Sequence, residues 1–393
     1  MLVRNPFTRD ARVLREARGL AAAGHDVTVL AVRAGNVPVR EERDGFVVLR
    51  SVEAGRFSGP TITGAASNSG KGGGRFRPAA AVIARDVILS RRFTRAAAAI
   101  QADVYHAHDL NTLQAASAAA RAREARLVYD AHELYPDLTG LSSWERTRWR
   151  RIERGLIGQT DAVLVPSPSR GVVLVERYRI PAPAVVMNCP PESAAPDPAA
   201  GLLASLRRQG ETLVVYAGGF TPNRGLENVV RAFDRLPRCR LVMVGWGPLA
   251  SNLRDLASSS TMDGHVVFPP AVDPDDVVGA IAGADIGLAP YLPIGLNNVL
   301  AAPNKLFEYL HAGLAVAASD LPDVRAIMEQ HHVGTLFDAS DPSSIADAIG
   351  TLCSSEEELT AVRARARAAA NTYTWEKQLE VLVDVYEHLS RPR

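Results

Sequence analysis

The chain has 393 residues, more than one ordinary hydrophobic core accommodates, so two domains are expected. Its 47% hydrophobic and 22% charged residues are those of a globular protein, and no apolar run reaches the roughly 18 residues a membrane span needs. Net charge is +1, yet residues 1–190 carry 28 Arg and Lys against 18 Asp and Glu, and the remainder 16 against 25, which either turns the first half toward something anionic or merely solvates its helix faces.

A helix is predicted over 9–23, where Val13, Leu14, Ala17, Leu20 and Ala21 recur at helical spacing. The turn Gly24-His25-Asp26 ends it, and a buried strand follows over 27–32. Only Met1-Leu2-Val3 precede that helix, fewer than the about five residues of a full strand, so a truncated first strand is expected, with the native start upstream. A strand over 46–51 leads into 54–78, which is rich in Gly, Ser, Thr and Arg and reads as a mobile loop. Its Gly70-Lys71-Gly72 run is no phosphate loop, because Lys71 is followed by glycine rather than Ser or Thr. Then come a helix over 79–100, a strand over 104–108, a helix over 112–123, a strand over 127–130, an Arg- and Trp-rich helix over 143–158, a strand over 162–166, a helix over 169–177 and a strand over 185–187.

These elements form a first domain, 1–190, and a Pro/Ala-rich linker follows it through 198. Alternation then restarts in a second domain, 191–374. Its strands fall at 213–216, 240–244, 266–268, 286–289 and 315–318. Its helices fall at 225–235, 248–258, 274–282, 304–312, 322–329, 342–352 and 355–373. A last segment, 375–393, holds a helix over 375–389 expected to cross back onto the first domain. Each half reads as an open, mostly parallel, doubly wound α/β sheet, and ligands bind such sheets at the carboxyl ends of their strands. Two facing sheets would share a cleft there.

Two stretches can carry chemistry. In Tyr216-Ala217-Gly218-Gly219-Phe220 a strand runs into two glycines, and Arg224 stands just before the next helix. Gly218 and Gly219 would let backbone amides approach a ligand, the helix start favours an anion, and the Arg224 fork suits phosphate. A tight turn with a solvated arginine fits equally well. Gly245-Trp246-Gly247-Pro248 repeats the pattern more weakly. In 303–313, Asn304 can cap a helix and Gly313 can end it, while Lys305 and Glu308, three apart, share a face. A cation for a diphosphate and a carboxylate for a ribose diol are what a nucleotide sugar requires; spacing alone is also satisfied by an ordinary Lys–Glu pair.

The run Pro303-Asn304-Lys305-Leu306-Phe307-Glu308-Tyr309-Leu310-His311-Ala312-Gly313 resembles the donor-site signature of the family 4 glycosyltransferases, which have the GT-B fold of two facing Rossmann-like domains. Residues 12–29, with Gly24-His25-Asp26-Val27, are similar to that family's first helix and second strand. His106-Ala107-His108-Asp109 and Asp130-Ala131-His132-Glu133 resemble its cleft-lining loops. The resemblance implies retaining transfer from a nucleotide diphosphate sugar without a metal or other cofactor. Glu308 would hold the ribose, Lys305 and Arg224 would neutralise the diphosphate, and His108 would stand beside the reacting sugar. Gly218, Gly219 and Asn304 would complete the nucleotide contacts. Two departures stand out: the family's first glutamate is replaced by Leu300, and the arginine it often carries after the strand-ending glycine is absent from Gly219-Phe220. Asn297, Asn298 or backbone amides around 302–305 would then hold the sugar.

Other motifs weaken on inspection. His106, His108 and Asp109 begin a metallohydrolase-like pattern, but no completing histidine follows. Asp273-Pro274-Asp275-Asp276 contains Asp-x-Asp, yet its place before 277–282 suits a helix start. Gly-x-Ser-x-Gly is absent, and no aromatic-interleaved strand reads nucleic acid. Cys189, Cys239 and Cys353 form no disulfide framework, and no leader is evident, so a cytoplasmic enzyme is expected, with peripheral contact to an anionic membrane through the basic half. The acceptor would be an envelope glycan, a glycolipid or a small molecule. A non-hydrolysing nucleotide-sugar epimerase and an inactive binding subunit are the alternatives.

Overall fold

The computed structural model describes residues 1–8, 10–53, 79–192, 196–197, 202–259 and 264–391. The glycine-rich stretch 54–78 and part of the predicted linker, 193–195 and 198, lie outside the described residues. The described residues divide into two compact units. One holds the residues before Met187 and those from Gln378 onward; the other holds Met187–Lys377.

The first unit contains β1 (Thr28–Arg33), β2 (Arg40–Arg43), β3 (Phe46–Glu53), β4 (Val104–His108), β5 (Arg126–Asp130), β6 (Ala162–Val165) and β7 (Ala184–Val185). Strands β4 to β7 lie side by side in sequence order, all parallel. β3 pairs β1 in parallel and β2 antiparallel. β2 escapes sequence reading because Arg-Glu-Glu-Arg has no apolar alternation; backbone pairing to β3 and an ion pair of Glu41 with the buried Arg50, at 2.8 Å, hold this charged strand at the sheet's edge. Where a first strand was expected, Leu2 alone bridges Leu30 and Ala107 in parallel and so joins β1 to β4. Its amide donates to the His106 carbonyl at 2.8 Å, and the His108 amide donates to the Leu2 carbonyl at 3.1 Å. The last helix, Trp375–Leu389, is part of this unit from Gln378 on. Its Leu379 packs against Gly19, where an added Cβ would come within 2.4 Å of the Leu379 Cδ1 and force that side chain to shift.

The second unit is one six-stranded parallel sheet of β8 (Thr212–Ala217), β9 (Cys239–Val244), β10 (Val266–Val267), β11 (Ile286–Ala289), β12 (Ala315–Ser319) and β13 (Gly334–Phe337). Alternate residues feed opposite cores. Val215, Ala217 and Val242 pack with Leu306 and Leu310 on one face, and Val214, Tyr216 and Met243 with Leu226 and Val229 on the other. The strand order is β10-β9-β8-β11-β12-β13, so it reverses between β8 and β11. That reversal opens a crevice at the carboxyl ends of those two strands, the place where doubly wound sheets bind ligands.

Candidate functional site

The predicted donor-site residues Gly218, Gly219, Arg224, Asn304, Lys305 and Glu308 all belong to the second unit, and Gly218, Arg224 and Lys305 lie about the rings of Tyr216 and Tyr291. β8 ends at Ala217 and turns through Gly218, whose φ of 141° lies outside what side-chain-bearing residues adopt readily. Gly245 and Gly247 serve a different end from the one their sequence suggested. A Cβ on Gly245 would lie 1.9 Å from the Gly218 carbonyl, and one on Gly247 would lie 2.3 Å from the Phe220 carbonyl. These glycines let the turn after β9 pack onto the turn after β8. Gly225, at φ 69°, starts the short helix Leu226–Ala232 and places Arg224 beside the turn.

The helix Asn304–His311 is fixed by Tyr309. Its hydroxyl donates to the Leu288 carbonyl at 2.8 Å and accepts the Ala217 amide at 3.1 Å, which ties the helix to both strands of the switch point. Gly287 makes room, since a Cβ there would lie 2.3 Å from the Tyr309 ring. Asn304 does not cap this helix: extended Pro303 occupies the N-cap, and Asn304 is its exposed first residue. Gly313, at φ 67°, ends the helix as its left-handed cap.

Lys305 and Glu308 do not form the ion pair that their spacing allows. The Lys305 side chain is nearly buried, with the residue 7% exposed, and no carboxylate lies within ion-pair distance among the described residues. Its Nζ stands 5.1 Å from the centroid of the Tyr216 ring and 5.3 Å from that of Tyr291. It is also 3.3 Å from where a Cβ on Gly218 would sit, so this lysine supplies charge to the stretch that lacks the family's arginine. The Arg224 guanidinium lies 3.8 Å from the Tyr291 centroid. Burial pushes the Tyr216 phenol up; Lys305 and Arg224 pull it down and Glu308 adds to the rise, so all three charged groups of the site act on this one hydroxyl. The hydroxyl donates to the Gly219 carbonyl at 2.8 Å. Leu300 is buried, and the Asn298 amide is committed to the Leu292 carbonyl at 3.3 Å.

His108 belongs to the first unit. β4 aims His106 and His108 to one side, with their rings stacked at 4.3 Å. The Arg12 guanidinium donates twice to Asp130, at 2.8 Å each, and lies 3.0 Å from Glu16. His132 Nε2 is 2.8 Å from Asp130 and 3.1 Å from His108 Nδ1. Burial pulls His132 down, but the carboxylates of Asp130 and Asp109 outweigh it and hold the imidazole up at about 10. Burial brings His108 down to about 4, so it is neutral at pH 7. The one Nε2 proton of His132 is shared between Asp130 and His108 Nδ1, and His108 Nδ1 also lies 3.4 Å from Asp130, which leaves the second His108 nitrogen, Nε2, outside this network. That buried Nε2 has no hydrogen-bond partner among the described residues.

Glu16, His106, His108 and Asp130 have the ligand types and closeness of a cation site, with donor atoms within 4.8 Å of one another. Arg12 and His132 already supply two positive charges to them, and burial with the neighbouring Asp130 pushes the Glu16 carboxyl up toward its neutral form. A divalent ion there would add charge beside these two cations.

The architecture is that of the GT-B fold. Sucrose-phosphate synthase from Thermosynechococcus elongatus superposes with a TM-score of 0.75 at 17% identity, over 96% of this chain and 92% of that one. Anabaena HepE, solved with UDP and glucose, gives 0.72 at 13% identity over 98% of both chains. The profile described as "Glycosyl transferase 4-like domain" matches residues 10–190, and that described as "Glycosyl transferases group 1" matches 211–355. The chain belongs to the family 4 glycosyltransferases. The phosphatidyl-myo-inositol mannosyltransferase of Mycolicibacterium smegmatis is 27% identical over 195 residues, 49% of this chain and 48% of its own length. That of Mycobacterium tuberculosis is 29% identical over 188 residues, 46% and 48%. The chain thus aligns with about half the length of the curated relatives it matches.

Sequence reading passed over Tyr216 and Tyr291. A tyrosine just past the carboxyl end of a switch-point strand, as in Ala289-Pro290-Tyr291, was the available signal. It likewise passed over Arg12 and Glu16, which share a helix face four residues apart yet are 6% and 0% exposed.

Proposed function

We propose that this glycosyltransferase moves a sugar from a nucleotide diphosphate donor to an anionic or lipid-linked acceptor, with retention and without a metal. The observation that supports the donor most directly is Lys305, an almost fully buried ammonium with no carboxylate beside it. A buried charge without a counter-ion is costly, and an anionic ligand offsets that cost. A diphosphate delivers its charge to Lys305 and Arg224 at once, and both cations are in place before the bond breaks. Charge grows on the departing phosphate in the transition state, where preorganised cations count most. Glu308 accepts the ribose hydroxyls. Gly218, Gly219 and the start of the helix Asn304–His311 offer backbone amides to phosphate. His108, neutral at pH 7, offers its buried and unpartnered Nε2 to a sugar or acceptor hydroxyl. With retention, the leaving phosphate oxygen takes the acceptor's proton on the same face, so positioning replaces a dedicated base.

The acceptor side rests on charge. Residues 1–190 carry the excess of arginine, which suits a phosphorylated or membrane-borne acceptor at a cytoplasmic surface. Relatives named as acting on phosphatidyl-myo-inositol and D-inositol 3-phosphate are consistent with that class. Among the described residues no helix is long and apolar enough to cross a membrane. The buried Leu300, in place of the family's first glutamate, favours an inactive binding subunit as the second reading. A panel of UDP-, GDP- and ADP-sugars separates the possibilities. Transfer or slow donor hydrolysis supports the proposal, an epimerised donor supports an epimerase, and binding without turnover supports the inactive subunit.

A further inference from the structure

Arg224 and Lys305 reach the switch point from two different segments of the second unit, one before the helix Leu226–Ala232 and one in the helix Asn304–His311. Neither has an ion-pair or hydrogen-bond partner among the described residues. What they share is one ring: Tyr291 lies 3.8 Å from the Arg224 Cζ and 5.3 Å from the Lys305 Nζ, centroid to atom. The ring is itself held. The Tyr291 amide donates to the Ser319 hydroxyl at 2.7 Å, Ser319 is 2% exposed at the end of β12, and Tyr291 is 8% exposed. The next residue, Leu292, donates its amide to the Asn223 carbonyl at 3.1 Å, which ties the segment after β11 to the residue preceding Arg224.

We propose that Tyr291 is a positioning residue whose ring face gathers Arg224 and Lys305 into a preformed pair of cations for the diphosphate of the donor. This deepens the donor-site reading and depends on it. Two like charges without a counter-ion repel and would otherwise swing toward water. The negative face of an aromatic ring attracts both, and it does so without neutralising them as a carboxylate would. Their full charge therefore remains available to phosphate. A carboxylate at position 291 would hold the cations as well but would compete with the ligand. Tyr216 adds a second ring under Lys305 alone, with its Nζ 5.1 Å from that centroid.

The test compares wild-type protein with Tyr291→Phe, which keeps the ring, and Tyr291→Leu and Tyr291→Met, which keep an apolar side chain without one. Affinities for UDP, GDP, uridine and guanosine are measured by calorimetry or ligand competition, with the melting temperature of each variant recorded. Phe is expected to bind the preferred nucleoside diphosphate within about twofold of wild type, and Leu and Met about tenfold more weakly, with nucleoside affinity unchanged. Equal loss for nucleoside and diphosphate would mark a general disturbance of the fold and overturn the assignment. Unchanged diphosphate affinity in the Leu and Met variants would overturn it too, as would a Phe variant as weak as Leu. If wild-type protein binds neither UDP nor GDP, the donor-site reading fails first, an outcome distinct from a Tyr291 role that fails while wild-type binding is intact.

Discussion

Lys305→Met separates stability from function with opposite signs. Methionine keeps much of the length and apolar stem of lysine, so contacts along the chain are largely retained while the ammonium is removed. In the ligand-free protein that ammonium is 7% exposed and rests on two aromatic rings without a carboxylate. Withdrawing an ion from water costs several kcal/mol after relaxation, and the rings return about 2 kcal/mol, so the variant should be more stable by on the order of 1 kcal/mol. For a domain of this size that raises the melting temperature by about 2–4 °C. The same change removes a charged hydrogen bond to phosphate worth about 1.5–3 kcal/mol, a loss of roughly ten- to more than a hundredfold in diphosphate affinity. Differential scanning fluorimetry without ligand and calorimetry with UDP and GDP read the two effects. A variant that melts several degrees lower, or that binds the diphosphate as tightly as wild type, would refute the idea that Lys305 is an ammonium held in reserve for an anion.

Four further outcomes follow from the same geometry. Glu308→Ala should weaken nucleoside diphosphate binding by about 1.5–3 kcal/mol and erase discrimination against 2′,3′-dideoxy analogues; ribose selectivity that survives would remove Glu308 from the sugar of the nucleotide. Gly287→Ala places a Cβ 2.3 Å from the Tyr309 ring, whose hydroxyl is tied to two strands, so a loss of about 1–3 kcal/mol is expected in urea unfolding, and an unchanged midpoint would contradict it. His132 is raised from 6.5 to about 10 in the folded state, so its contribution is complete below pH 6.5 and declines as pH rises toward 10, with a slope of up to about 1.4 kcal/mol per pH unit. His132→Gln should flatten that decline, whereas parallel stability curves for variant and wild type between pH 7 and 10 would count against the charged imidazole. Binding to anionic vesicles should fall steeply as salt rises, and equal binding to neutral vesicles at every ionic strength would dismiss the basic surface as an attachment site.

The alternation of buried strands with amphipathic helices made most of both sheets legible, because a strand buried on both faces is a continuous apolar run such as Leu213-Val214-Val215-Tyr216. What escaped was held by other means. β13 opens on Gly334 at φ 156°, where a Cβ would lie 1.7 Å from the Val316 carbonyl, and its partly exposed residues carry little apolar signal. β2 is held by its backbone ladder and by the ion pair of Glu41 with Arg50. At the site, helical spacing brought Lys305 and Glu308 to one face, but it could not decide between an ion pair and a pair of ligand contacts. That choice is made by Tyr216 and Tyr291, whose rings arrive from β8 and from the segment after β11. Nothing in the sequence set Arg12 apart from the other arginines of the first half, and its burial depends on Asp130, 118 positions along the chain. Contacts of that range leave no periodic trace in the sequence.

The proposed reaction is donor cleavage with retention by residues of this chain and no metal. Incubating the protein with its preferred nucleotide diphosphate sugar in excess EDTA, and reading the anomeric proton of the product by NMR before mutarotation, tests it most directly. An axial donor linkage is expected to emerge axial, at a rate that EDTA does not change and that falls in Lys305→Met. An inverted product, or activity abolished by EDTA and restored by a divalent cation, would contradict it.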